Sequence, residues 1–233
     1  MIAISFALPA ESSGLVGLLR EKKRPSADGG KIVYGKIDNH SIAILHTGVG
    51  RKSCEPNIDN FLRVEQPRCL ISSGFAGAAR EDFQVGDLIV AENFSDRELL
   101  SEAQRILAGG NVRIAKLFTA ATIVDSIDAR NEIAQKSGAD AIDMETEVIA
   151  QACSARGIPM LSLRVISDSL REPFPVPPSI LFDVERQRTN IAKLLFYFLK
   201  HPMRMGQLIR FVRQITQARG ILTDAIRAVV SRL

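Results

Sequence analysis

Short apolar runs at 2–8, 41–46, 69–72, 87–91, 116–123 and 160–166 alternate with helix-like patterns along most of the chain. That alternation is the feature that most restricts the fold. Extended runs bury both faces only when helices cover them, so the pattern predicts an α/β chain with a sheet flanked by helices on either side. A chain of 233 residues is long enough for one such domain with a sizeable core. In these sheets a ligand sits beyond the carboxyl ends of the strands, so the polar residues that follow each run are the candidates for chemistry.

Four groups stand in such places. Glu11 follows the first run, Thr47-Gly48-Val49-Gly50 the second, Ser72-Ser73-Gly74-Phe75-Ala76-Gly77 the third, and Ser167-Asp168 the last. A glycine pair after a strand is, by itself, a turn signal. One helix is well marked: Asp143 reads as its N-cap, apolar residues recur at Met144, Val148, Ile149 and Ala152, and Gly157 and Pro159 stop it. On spacing alone, Glu145 and Glu147 are acids that complement the dipole of its first turn.

Composition removes several classes. Cys54, Cys69 and Cys153 are scattered and odd in number, which fits reduced thiols in a cytoplasmic protein. His40, His46 and His201 show no ligand spacing, so neither a metal nor another cofactor is expected. The first residues read as a buried strand and not as a basic leader. No run reaches the ~18 apolar residues of a membrane span. The net charge of +4 is concentrated in 190–233, where eight Lys/Arg face one acid, Asp224. No nucleic-acid motif or set of stacking aromatics accompanies that charge, so nucleic acid is not an expected partner.

Taken together, Glu11 after Ala7-Leu8-Pro9-Ala10, the Thr47–Gly50 and Ser73–Ala79 glycine loops, Val85-Gly86-Asp87, Asp143-Met144-Glu145-Thr146 and Arg164-Val165-Ile166-Ser167-Asp168 stand in a recognisable order. From Met1 to about Asp168 the chain resembles the nucleoside phosphorylase and methylthioadenosine/S-adenosylhomocysteine nucleosidase family. The resemblance implies a three-layer αβα sandwich around a mixed, partly barrel-like sheet, assembled as a homodimer or larger homo-oligomer. It also implies roles. Asp168 would protonate purine N7, with Ser167 hydrogen-bonded to it and its pKa raised. Glu145 would bind the ribose hydroxyls, Met144 would pack on the ribose, and Glu11 would orient or deprotonate the attacking water. Arg164 would hold one of these carboxylates. Gly50, Gly74 and Phe75 would line the substrate pocket, and the backbone at Ile123 and Val124 would meet the base.

Phosphorylases of this family need cations for a phosphate nucleophile, and bacterial members carry an arginine just ahead of the third glycine-rich loop. Here Leu70-Ile71-Ser72-Ser73-Gly74 has none, and Arg51 reads as a surface residue, so water is the favoured nucleophile. Phe75 stands where hydrolases often have a small polar residue. The segment after Gly86-Asp87 looks shorter than in the methylthioadenosine nucleosidases, which would open the 5′ side of the pocket. Beyond Asp168 come Pro173-Phe174-Pro175-Val176-Pro177-Pro178, Ile180-Leu181-Phe182 and a basic, apolar tail. These features resemble the hopanoid-associated branch, linked to removal of adenine from adenosylhopane. The expected organisation is a catalytic domain over 1–189 and a basic amphipathic helical extension over 190–233. The extension suits either an anionic membrane surface or packing on the domain or a partner subunit. An ordinary methylthioadenosine/S-adenosylhomocysteine nucleosidase, a phosphate-dependent phosphorylase and a non-catalytic nucleoside-binding module are the competing readings.

Overall fold

The computed structural model describes residues 1–25, 30–171, 182–183, 188–189 and 205–233. Its centre is β1 (Ile2–Phe6), every residue of which is buried. It lies parallel to both β4 (His40–His46) and β5 (Cys69–Ala78). β10 (Met160–Asp168) is likewise buried at all nine positions, although Ser162, Arg164, Ser167 and Asp168 stand among its apolar residues. It runs parallel to β5. Antiparallel strands finish the edges: β3 (Ile32–Ile37) forms a hairpin with β4, β2 (Arg20–Lys23) pairs with β3, and β6 (Leu88–Ala91) pairs with β10. Beyond β6 lies β7 (Val112–Ala115), parallel to it. A separate ladder joins β11 (Phe182–Asp183) and β12 (Arg188–Thr189).

The alternation along β1 defines the layers. Ile2, Ile4 and Phe6 point into a cluster with Leu15 of α1 (Pro9–Leu18), Leu107 of α3 (Arg97–Leu107) and Leu222, Ile226 and Val230 of α6 (Met205–Val230). Ala3 points the other way, toward Ile58 and Phe61 of α2 (Arg51–Val64) and Val148 and Ile149 of α5 (Thr146–Ser154). Each fully buried aliphatic side chain here contributes roughly 1.5–3 kcal/mol. The expected three-layer αβα arrangement around a mixed sheet is the one observed.

The sheet forks at β5, and the fork makes room for the site. Residues 69–72 of β5 pair with β1, whereas Gly77 and Ala78 pair with β9 (Ala141–Asp143), which in turn lies parallel to β8 (Leu117–Thr119). Between Ser72 and Gly77 one edge of β5 has no strand partner among the described residues, while β10 covers the other edge throughout.

Several elements differ from the sequence reading. Of the run at 116–123 only Leu117–Thr119 is strand; it follows the unpredicted β7 after a break at Lys116, whose N–H and carbonyl are both engaged with Asp140, and residues 120–126 form a loop. The third run does not end at Ser72; the glycine-containing segment continues as strand to Ala78. Asp143 is not the N-cap residue: it ends β9, and α5 begins at Thr146 with Glu145 in the cap position. Met144 and Glu145 therefore sit in a turn aimed at the fork. The boundary expected between 189 and 190 lies at the edge of the described residues, and 173–178 and 194–199 lie outside them. Of the tail, the second half of α6 is built into the main core, not appended to it. It crosses α1 so closely that a Cβ on Gly14 would lie 2.5 Å from Thr223 Oγ1.

Candidate active site

A cavity of about 390 Å³ opens at the fork, within the size range of small-molecule sites. The turn after β1, the free edge of β5, the turn after β9, the end of β10, the 122–124 loop and two residues of α6 line it.

Glu11 is the third residue of α1, behind Pro9 at the first helical position, which presets the backbone for a helix. Its Oε2 accepts the Leu8 N–H at 2.8 Å and its Oε1 the Phe75 N–H at 3.1 Å. The second of these is a donor left over on the unpaired edge of β5. Burial pushes the Glu11 pKa upward, and the two backbone N–H groups oppose that shift. Gly74 makes this approach possible: its φ is +148°, and a Cβ there would lie 3.0 Å from Glu11 Oε1. Gly74→Ala is expected to cost about 1–3 kcal/mol of stability through backbone strain. It should also lower kcat roughly tenfold by displacing Glu11, read by urea unfolding beside steady-state rates.

Glu145 accepts the Gly50 N–H at 2.6 Å, and Gly50 has a φ of +77° that suits glycine. Burial first, and neighbouring Asp143 second, push the Glu145 pKa up to about 8. Asp143 itself is anchored by Thr119 Oγ1 at 2.8 Å, by the Thr146 N–H at 3.1 Å and by the Thr146 hydroxyl. Arg164 forms an ion pair with Asp143 at 3.1 Å and donates to Ser72 Oγ at 2.8 Å. The carboxylate it holds is thus Asp143, and not Glu11, Glu145 or Asp168; its charge reaches the two glutamates only through space.

Asp168 closes the far wall at 2% exposure. Ser167 Oγ donates to its Oδ1 at 2.7 Å, and Arg130 of α4 (Ile127–Ser137) pairs with its Oδ2. Burial raises the Asp168 pKa and Arg130 opposes the rise. Met144, Phe75, Ile123 and Val124 face the same cavity. Arg51 lies at the surface, 3.5 Å from Glu147.

The cavity thus gathers every residue to which the resemblance gave a role at the site except Gly50, Gly74 and Arg164, which stand one contact behind it. Three participants had no site signal in the sequence: Arg130 sits in an ordinary polar helical stretch, and Phe211 and Ile215 come from α6, far along the chain. Asp143 had a signal, but as a helix cap and part of the Asp143–Thr146 segment.

The Phosphorylase superfamily matches this sequence over residues 2–106 and 92–200. The chain belongs to the phosphorylase superfamily. It is an enzyme of that superfamily, and its relatives are nucleosidases. A 5′-methylthioadenosine/S-adenosylhomocysteine nucleosidase of Haemophilus influenzae is 25% identical over 195 residues, covering 72% of this chain and 85% of its own. One from Staphylococcus haemolyticus is 24% identical over 196 residues, with 72% and 86% coverage. Among solved structures, the S. pneumoniae 5′-methylthioadenosine/S-adenosylhomocysteine nucleosidase with the transition-state inhibitor MT-ImmA superposes with a TM-score of 0.75 at 20% identity, covering 98% and 97% of the two chains. Futalosine hydrolase of Helicobacter pylori gives 0.72 at 17% identity, covering 100% of this chain and 97% of that one. These superpositions carry the fold. Among the described residues no cluster of His, Cys, Asp or Glu could hold a metal ion, and no helix is long and apolar enough to cross a membrane.

Proposed function

We propose that this superfamily member is a nucleosidase that cleaves the N-glycosidic bond of a 5′-substituted adenosine and releases adenine. The observation that carries the reading is the convergence of Glu11, Glu145 and Asp168, from three separate segments, on one 390 Å³ cavity. Breaking C1′–N9 leaves positive charge on the ribose and negative charge on the departing purine, as in glycoside hydrolysis. Asp168 gives its proton to N7, so the purine leaves neutral. Glu145 accepts hydrogen bonds from the ribose hydroxyls and, once ionised, stabilises the cationic sugar. The oxygen of a water held by Glu11 bonds to C1′, and its proton passes to Glu11.

Water is favoured over phosphate because the nearby cations are committed elsewhere. Arg164 is paired with buried Asp143, Arg130 with Asp168, and Arg51 with Glu147 at the surface.

For the 5′ substituent, the reading is a long apolar group, adenosylhopane in hopanoid synthesis being the case the sequence suggests. Phe211 and Ile215 of α6 line the cavity, while Ile209 and Val212 of the same helix are 64% and 55% exposed beside exposed Arg210 and Arg213. The same helix thus presents apolar side chains both to the cavity and, beside cations, to the exterior, which suits a lipid tail and peripheral contact with an anionic membrane. The names of the relatives favour a second reading, in which the substrate is methylthioadenosine or S-adenosylhomocysteine.

One assay tests both. The protein is incubated with methylthioadenosine, adenosine and a 5′-alkyl-extended adenosine, with and without phosphate, and free base is quantified. Adenine release that does not need phosphate is expected, fastest from the alkyl-extended substrate. Preference for methylthioadenosine would establish the second reading, and release only with phosphate would overturn the choice of water.

A further inference from the structure

The reaction as proposed assigns no part to Arg130, yet Arg130 is 4% exposed and directly contacts the acid. Its guanidinium has three arms. Nη2 donates to Asp168 Oδ2, Nε to the Val124 carbonyl at 3.0 Å, and Nη1 to the Ala78 carbonyl at 3.2 Å. Val124 belongs to the loop that lines the cavity, and Ala78 ends β5 at the fork. One side chain thus ties the acid, the pocket loop and the sheet together.

The backbone is shaped around this pair. A Cβ on Gly77 would lie 3.1 Å from both Arg130 Nη1 and Asp168 Oδ2, so only glycine leaves the pair undisturbed. Glu11 of α1 and Glu145 ahead of α5 stand across the cavity, and Arg164, earlier on β10, is held by Asp143. Among the described residues Arg130 is the cation in contact with Asp168.

We propose that Arg130 is a positioning residue that fixes the Asp168 carboxyl against the purine-side loop and weakens its hold on the proton it must deliver. This rests on the nucleosidase reading above. Burial alone would make Asp168 a tenacious acid, slow to release its proton to N7. A guanidinium on one oxygen favours the carboxylate that forms as the proton leaves, while the other oxygen stays with Ser167. Lysine cannot reproduce the geometry, because it offers a point charge where three fixed donors are required.

The test is the pH profile of kcat/KM for methylthioadenosine or the alkyl-extended nucleoside, whichever turns over. Its basic limb reports loss of the acid's proton. Arg130→Gln should move that limb upward by about one pH unit or more, since a contacting opposite charge shifts a carboxyl by ~1–3 units. Arg130→Lys should leave the limb near its wild-type position while kcat falls on the order of tenfold. Gly77→Ala, whose methyl wedges against the pair, should shift the limb in the same direction as Arg130→Gln, and it decides the matter if Arg130→Gln does not fold. A folded Arg130→Gln or Gly77→Ala protein with an unmoved limb would overturn the proposal, because a merely structural arginine would lower activity without shifting the limb. Absence of base release by the wild-type chain would sink the nucleosidase reading instead.

Discussion

Asp168→Asn is expected to lower kcat by about 10²–10⁴ while nucleoside affinity changes by less than tenfold. The amide keeps the size of the carboxyl, its carbonyl still accepts from Arg130 or Ser167, and its backbone place at the end of β10 is unchanged. What disappears is a transferable proton, and without it the purine must leave as an anion. Steady-state rates paired with calorimetric titration of a nucleoside separate the two effects. Loss of affinity in parallel with rate would mean that Asp168 shapes the pocket and does not act as an acid. A non-catalytic binding module would show no turnover in either protein.

Glu145→Gln should cost on the order of 10²–10³ in kcat, because the charge facing the cationic ribose is removed. The same substitution should make the protein more stable at alkaline pH. The sign follows from burial. The folded-state pKa of Glu145 is raised from 4.5 to about 8, so the folded protein binds a proton that the unfolded chain releases. The contribution of this group is therefore full below about pH 4.5 and is lost as pH climbs through 8. Glutamine carries no ionisation penalty, so Glu145→Gln should gain roughly 1–3 kcal/mol over the wild type at pH 9 and much less at pH 5. Urea unfolding at the two pH values measures this difference. An equal effect at both would show that Glu145 is not held neutral by its surroundings. Activity runs the opposite way, since Glu145 must be ionised to serve the ribose. The kcat/KM profile should rise with pH on its acid side and fall where Asp168 loses its proton.

How much of the site was legible follows from how each residue is specified. Glu11 and Asp168 were readable because each follows a short apolar run, and residues beyond strand ends converge in an α/β sheet. Glu145, by contrast, reads on spacing alone as a helix-dipole acid and gains its role only from the family resemblance. Ser167 was readable as the chain neighbour of Asp168. Arg164 was placed in the right neighbourhood but given the wrong partner. Only the tertiary structure shows that β10 carries it past Ser72 to Asp143, where Thr119 and Thr146 complete the cluster. The start of α5 was misplaced for a related reason: Asp143 does accept the Thr146 N–H, as a cap would, but it does so from the last position of a strand.

The flanked sheet, its central strands, and Glu11 and Asp168 as candidates were legible in the residues alone, because periodicity and strand-end chemistry are local and survive in a one-dimensional string. The fork at β5 depends on where β1 stops pairing and β9 begins, and such registers lie between segments far apart in the chain. The same holds for the Arg130 clamp, drawn from an unremarkable helix, and for α6, whose first half walls the cavity while its second half fills the core. Those were decided by packing, since burying a charged arginine or an apolar helix face requires a partner that no local pattern can name.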